Sequence, residues 1–283
     1  MDANYTPPNE MPERPMYTVL AGQRALVTGA SKGLGAGAAV ALATAGADVV
    51  VNYRSDTAGA ESVAREITAM GRRAFLFKAD VSQERDVLAM FDFMNEKLGR
   101  LDILVNNAGF QMNAPFDEMT MDQWQGVIGT NLTGMFLCAR EAVRAFKRQG
   151  IDKKISSAMG KIIFMSSVHD IIPWAGHVNY AAAKGGIMML MKSAAQELAP
   201  LKIRMNSLSP GAMRTPMNVE KLTSPEEYQR TLLNLIPYGR IGEVEDAGRA
   251  IVWLASDDSD YVHGATLYLD GGMTLYPEFA RGG

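Results

Sequence analysis

The feature that most restricts the fold is a strict alternation, from Arg24 onward, of short β-branched or apolar runs with longer helical stretches. The runs expected to be strands are 25–28, 48–52, 74–78, 103–105, 161–166, 204–209 and 266–269, and helical patterns cover 34–45, 59–70, 84–98, 121–147, 179–198 and 243–255. Parallel strands need a crossover of a dozen or more residues between them, and helices fill that role here. The alternation therefore predicts a single-domain α/β fold of Rossmann type: a doubly wound, parallel, seven-stranded sheet with helices on both faces. At 283 residues the chain is near the upper limit for one hydrophobic core. The unbroken rhythm decides for one domain over 19–283.

Three segments fall outside the rhythm. Residues 1–18 contain Pro7, Pro8, Pro12 and Pro15 with scattered acids and no apolar core, which predicts a flexible arm and not a secretory signal. The polar stretch 148–160, with Lys153, Lys154, Ser156 and Ser157, reads as a surface insertion between a long helix and a strand. Residues 211–237 follow Pro210, include Pro216 and Pro225 and carry a short helical pattern around 226–235, as expected of a substrate flap beside a site.

Charge excludes some functions. With 28 basic and 31 acidic residues there is no basic field to hold nucleic acid or an anionic membrane. The single cysteine, Cys138, forbids an intrachain disulfide and a cysteine-ligated zinc, and fits a reducing, cytoplasmic location. The three histidines, His169, His177 and His263, form no ligand cluster with acids, so no metal is expected.

The first expected strand runs into Thr28-Gly29-Ala30-Ser31-Lys32-Gly33-Leu34-Gly35, which opens a helix. Glycines there allow a tight turn, and the amides of a helix start attract a pyrophosphate. The spacing is Gly-x3-Gly-x-Gly and not Gly-x-Gly-x-x-Gly. After the second strand, where an NAD-selective fold places an acid, stands Asn52-Tyr53-Arg54. Arg54 and Lys32 suit a 2'-phosphate, so NADP is favoured, with NAD possible because Asp56 is close. Asp80 and Val81 after the third strand, and Asn107 and Gly109 after the fourth, lie at strand ends where such sheets bind ligands, although Asn, Asp and Gly are also turn formers.

Tyr180 and Lys184 share a helix face, and a cation beside a phenol is expected to lower its pKa toward the range of a general acid or base. Ser167, at the end of the fifth strand, supplies a hydroxyl for a developing oxyanion. Asn131 is polar within an otherwise small and apolar stretch of helix.

Taken together, residues 28–35 and 106–109, Asn131, Ser167, Tyr180-Ala-Ala-Ala-Lys184 and Pro210-Gly211 resemble the short-chain dehydrogenase/reductase pattern over most of the chain. The stretches 165–174, 206–218 and 270–277 are similar to the glucose 1-dehydrogenases of that family. The resemblance implies that Tyr180 moves the proton, Lys184 binds the nicotinamide ribose and tunes Tyr180, Ser167 holds the substrate oxygen and Asn131 anchors a relay water. It adds Gly29, Ser31, Lys32, Gly33, Leu34, Gly35, Tyr180, Lys184, Pro210, Gly211 and Thr215 to the expected cofactor contacts. It further implies oxidation of an aldose C1 hydroxyl to the lactone, and a homotetramer built through 121–147, 179–198 and the last strand. Gln111 stands where those relatives are expected to have a glutamate. With Asn113, His169 and Asn218 it is a candidate for holding substrate, and Trp174 is a candidate aromatic wall. A carbonyl reductase acting on a ketone, or a non-catalytic dinucleotide-sensing protein, are the alternatives.

Overall fold

A computed structural model describes residues 18–215 and 233–275. The expected arm up to residue 17, Asn218 and most of the expected flap lie outside the described residues.

The described residues form seven strands, β1 (Arg24–Val27), β2 (Asp48–Tyr53), β3 (Ala74–Lys78), β4 (Ile103–Asn106), β5 (Gly160–Met165), β6 (Ile203–Pro210) and β7 (Thr266–Leu269). They make one parallel sheet in the order β3-β2-β1-β4-β5-β6-β7. The crossover helices are α1 (Gly33–Thr44), α2 (Thr57–Ala69), α3 (Glu84–Leu98), α4 (Met121–Ile128), α5 (Met135–Gln149), α6 (Val178–Leu198) and α7 (Val244–Ala255). The helix expected over 121–147 is divided, because a π-helical turn at Gly129–Gly134 separates α4 from α5. A π turn at this place commonly marks a functional site.

Because both faces of the sheet are covered, strand residues are apolar in succession and alternate between two cores. Val49, Val51, Ile103, Val105, Ile163 and Met165 face α1, α2 and α7. Val50, Leu104, Ile162 and Phe164 face α3, α5 and α6. The Gly- and Ala-rich α1 packs tightly on α7: a Cβ on Gly37 would fall 1.9 Å from Val244, and one on Gly248 would fall 2.9 Å from Ala41.

The stretch expected as a surface insertion is anchored to the amino-terminal end of the sheet. Ser156 Oγ donates to Asp257 at 2.6 Å and Ser157 Oγ donates to Asp260 at 2.9 Å. The buried Lys161, at the start of β5, reaches Asp257 at 3.3 Å and donates to Gln23. No helix among the described residues is long and apolar enough to cross a membrane.

Candidate active site

The strand order reverses at β1, which lies between β2 and β4. Open α/β sheets bind ligands beyond the carboxyl ends of the strands at such a switch point. The turn after β1 is shaped for close approach. Gly29 and Gly33 have φ of 63° and 58°, a region that favours glycine. A Cβ on Gly35 would sit 2.3 Å from the Gly29 carbonyl and 2.4 Å from the Asn107 amide.

Lys32 is the N-cap of α1, yet no side chain caps the helix and its first turn contains no acid. The amides at this helix start are therefore left for an anion, and the turn fits the pyrophosphate of a dinucleotide. Ser31 lies between the two positive-φ glycines, and Leu34 packs against the core. Thr215 approaches from across the crevice, 3.8 Å from where a Gly33 Cβ would be. Pro210 ends β6 opposite Leu269, and Gly211 N donates to the Leu269 carbonyl.

Several expected contact residues shape this cradle from behind. The Asn107 amide donates to the carbonyls of Thr28 and Gly29, and Thr28 Oγ accepts from the main chain of Asn107 and Ala108. Asn52, noted in the sequence only as a missing acid, is buried; it accepts from Gly29 N and donates to the carbonyls of Phe77 and Ala79. Asp56 caps α2 through Gly59 N. Asp80 spends one carboxylate oxygen on Ser82, and Val81 is buried against Gly134. The Arg54 guanidinium lies 5.6 Å over the ring of Phe110, a cation–π contact that holds it beside the crevice.

At the ends of β5 and α6 the structure brings Ser167, Tyr180, Lys184 and Gln111 together. Burial pushes the Tyr180 phenol above its ordinary value, while side-chain hydrogen bonding from Ser167 and Gln111 pulls it down. The direction corrects the lowering expected from spacing alone. Lys184 does lie 5.4 Å over the Tyr180 ring, but desolvation of the phenolate outweighs the favourable influences around it. Lys184 is itself buried, donates to the Met165 carbonyl at 2.7 Å and is held down to about 8 by burial. Gly109 is adjacent to Asn131, whose side chain is spent on the main chain of Phe110 in both directions. The Asn131 amide therefore has a structural task, apart from the expected anchoring of a water.

The expected wall residue, Trp174, is stacked with two histidines. His169 stacks on its indole with centroids 4.3 Å apart, and His177 stacks at 3.6 Å. Two imidazoles that close to one indole cannot share a face without overlapping, so each covers one face. Both faces of Trp174 are thus partly covered, the residue is 39% exposed, and it meets Tyr180 at a steep 81°. His169 Nδ1 is held by the Ile172 carbonyl, and burial keeps the imidazole below its ordinary pKa. Asn113 is exposed on the same loop as Gln111.

Two positions that sequence reasoning passed over support the centre. Asn179 is fully buried beside Tyr180; it donates to the carbonyls of Met112 and Gln123 and accepts from Tyr180 N, fastening the Gln111 loop to α6. Asp170 is buried one turn after Ser167. In each case the available signal was a polar residue next to a candidate catalytic one.

Burial places the Cys138 thiol well above its ordinary pKa, in the core. Among the described residues no group of three His, Cys, Asp or Glu side chains converges to hold a metal ion.

Residues 29–274 match the family described as enoyl-(acyl carrier protein) reductase. The chain is 47% identical over 267 residues to 3beta-hydroxysteroid dehydrogenase 1 of Eggerthella lenta, covering 94% of this chain and 99% of that protein. It is 40% identical over 263 residues to glucose 1-dehydrogenase 2 of Bacillus subtilis, covering 93% and 98%. Among solved structures, gluconate 5-dehydrogenase from Burkholderia cenocepacia in complex with NADP and tartrate is similar with a TM-score of 0.82 and 36% identity, over 92% of this chain and 98% of that one.

Proposed function

Because the chain belongs to the short-chain dehydrogenase/reductase family, we propose that it oxidises a secondary alcohol on an extended apolar skeleton, of the hydroxysteroid kind, with Tyr180 as the proton-transfer group. That it is an oxidoreductase acting on a CH–OH group with a nicotinamide dinucleotide follows from the family.

The observation that carries the substrate reading is the set of exposed apolar side chains on the two segments that follow Gln111 and Ser167, both of which hydrogen-bond to Tyr180. Met112 and Phe116 on one segment, and Ile171 on the other, are 39%, 81% and 51% exposed. The two segments are joined by the bond from Ala114 N to the Gly176 carbonyl. Apolar side chains held open to water at a site suit an apolar substrate that covers them. The 47% identity to a 3beta-hydroxysteroid dehydrogenase supports the same reading. The second reading is the aldose C1 oxidation implied by the resemblance. It is favoured by Gln111 and Asn113 as polar partners and by the glucose 1-dehydrogenase relative.

In either case the chain's own residues divide the work. The Gly29–Gly35 turn and the start of α1 would hold the pyrophosphate of a bound dinucleotide, and Lys32 and Arg54 would pair with a 2'-phosphate, which favours NADP. A bound nicotinamide supplies the hydride acceptor or donor. Ser167 Oγ donates to the substrate oxygen, and the Tyr180 phenolate takes the hydroxyl proton in oxidation or returns it in reduction. Lys184, fixed by the Met165 carbonyl, keeps a positive charge near the ring.

The test is a panel of 3β-hydroxysteroids, aldoses and ketones, followed by the absorbance of reduced nicotinamide with each dinucleotide in both directions. The proposal expects kcat/KM for a hydroxysteroid to exceed that for glucose by about tenfold or more. Oxidation of aldoses without steroid turnover establishes the second reading, and reduction of simple ketones alone overturns both.

A further inference from the structure

We infer that Asp170 is a positioning residue for the proton-transfer centre: it ties the turn that carries Ser167 to β6 and β7 and sets the charge balance around Tyr180 and Lys184. This rests on the reading of Tyr180 as the proton-transfer group.

Asp170 closes a single 3-10 turn, Val168–Asp170, whose N-cap is Ser167, and its amide donates to the Ser167 carbonyl at 2.9 Å. An acid on a short turn ordinarily faces water, because a carboxylate is costly to bury. Here it is 8% exposed. Its Oδ2 accepts from Ser166 Oγ at 3.0 Å and from Ser209 Oγ at 2.7 Å, and its Oδ1 accepts from the Tyr268 hydroxyl at 3.0 Å. One side chain thus joins the end of β5 to β6 and β7. Burial and Asp170 push the Tyr268 phenol up to about 12, so it remains a donor throughout the working range.

Three neutral donors satisfy the oxygens without neutralising the charge, and none of the ion pairs among the described residues includes Asp170. Three hydroxyl donors on two oxygens call for two acceptor atoms, which a carboxylate has and an amide does not, and the charge that comes with them requires an account of its own. The titratable groups facing it are Lys184 and Tyr180 from α6, Tyr268 from β7 and His169 from its own turn, whereas β5 and β6 bring serine hydroxyls. Helix α6 comes close at Gly185, the neighbour of Lys184, where an added Cβ would lie 3.7 Å from the Asp170 carbonyl. Lys184 is deprived of water, and the negative charge of Asp170 favours its protonated form. The same charge holds the proton on Tyr180 more firmly. Asp170 therefore keeps the ammonium charged at the expense of a less acidic phenol.

The test is Asp170→Asn, which keeps the size and one acceptor oxygen, removes the charge and replaces the other oxygen with an amide donor, toward which the hydroxyl it faces must turn as acceptor. The pH profile of kcat for alcohol oxidation is expected to move to lower pH by about one unit, because Tyr180 and Lys184 both lose proton affinity. A fall in amplitude at unchanged position, the mark of a merely structural residue, overturns the inference. If that variant does not fold, Tyr268→Phe removes one tie and leaves the charge. It is expected to lower kcat several-fold at unchanged dinucleotide KM, and unchanged kcat overturns the tie to β7. If the wild-type chain oxidises no alcohol, the functional reading fails separately. The inference is then read from the ultraviolet titration of Tyr180, taken as the difference between the parent chain and its Tyr180→Phe variant. That titration should occur at lower pH in the Asp170→Asn background, and an unmoved titration overturns it.

Discussion

Asn131 and Phe110 grip each other through two bonds: the Asn131 side-chain oxygen accepts from Phe110 N at 3.0 Å, and its amide nitrogen donates to the Phe110 carbonyl at 2.9 Å. Asn131 is fully buried in the π-helical turn, so no water can replace it readily. Phe110 begins the loop that carries Gln111 to Tyr180. Asn131→Ala is expected to orphan both main-chain groups and to destabilise the fold by about 1–3 kcal/mol for each. Denaturant unfolding measures this as a lower midpoint at unchanged m-value. A loss below about 0.5 kcal/mol would show that the two bonds are dispensable.

Tyr180→Phe removes the hydroxyl and leaves the ring, with its contacts to Trp174, His169 and Lys184. The dinucleotide cradle is formed by other residues. Turnover is expected to fall by about 10²–10⁴-fold, with the dinucleotide KM changed only a few-fold. Steady-state kinetics separate the two quantities. Wild-type kcat in this variant would remove Tyr180 from the proton transfer.

Much of this architecture was legible in the sequence because a parallel sheet buried on both faces makes its strands continuous apolar runs, as in β2 and β5. The Gly-rich turn and the meeting of Ser167, Tyr180 and Lys184 were legible because they depend on local spacing at element ends. What stayed hidden depends on partners distant in sequence or on burial. The π turn at Gly129–Gly134 continues a helical pattern without a break, and its Asn131 bonds 21 positions away. The Asp170–Tyr268 bond spans 98 positions. The two stacked faces of Trp174 arise in an irregular stretch that no periodicity describes. For Tyr180, spacing reveals the neighbouring cation and says nothing of desolvation, so it predicted the wrong direction for the pKa.

Arg54 offers a test of dinucleotide preference. It follows β2, and its guanidinium is steadied over Phe110 at 5.6 Å, leaving its donors in the plane of the group for a phosphate. No acid ends β2, since Asn52 is buried under the Gly-rich turn. Arg54→Ala is expected to raise the KM for NADP by about tenfold or more, an interaction of charge-assisted strength, and to leave the KM for NAD within about twofold of the parent. Equal effects on both dinucleotides would assign Arg54 to the pyrophosphate or to the loop itself.

Lys184 gives the fold a pH dependence of definite sign. Its ammonium has an ordinary pKa of 10.5 and is held down to about 8 by burial. Between these values the unfolded chain binds more protons than the folded one, so the lysine's contribution to stability rises with pH across that window. Below about 8 both states carry the proton and the desolvation penalty is constant. The difference in unfolding free energy between the parent chain and Lys184→Met, without dinucleotide, is therefore expected to shift in favour of the parent from pH 8 to 10.5. The size of the shift is on the order of 3 kcal/mol. Denaturant titrations of both chains at a series of pH values measure it. A difference that stays flat across the window would mean that Lys184 keeps its ordinary proton affinity despite its burial and its bond to the Met165 carbonyl.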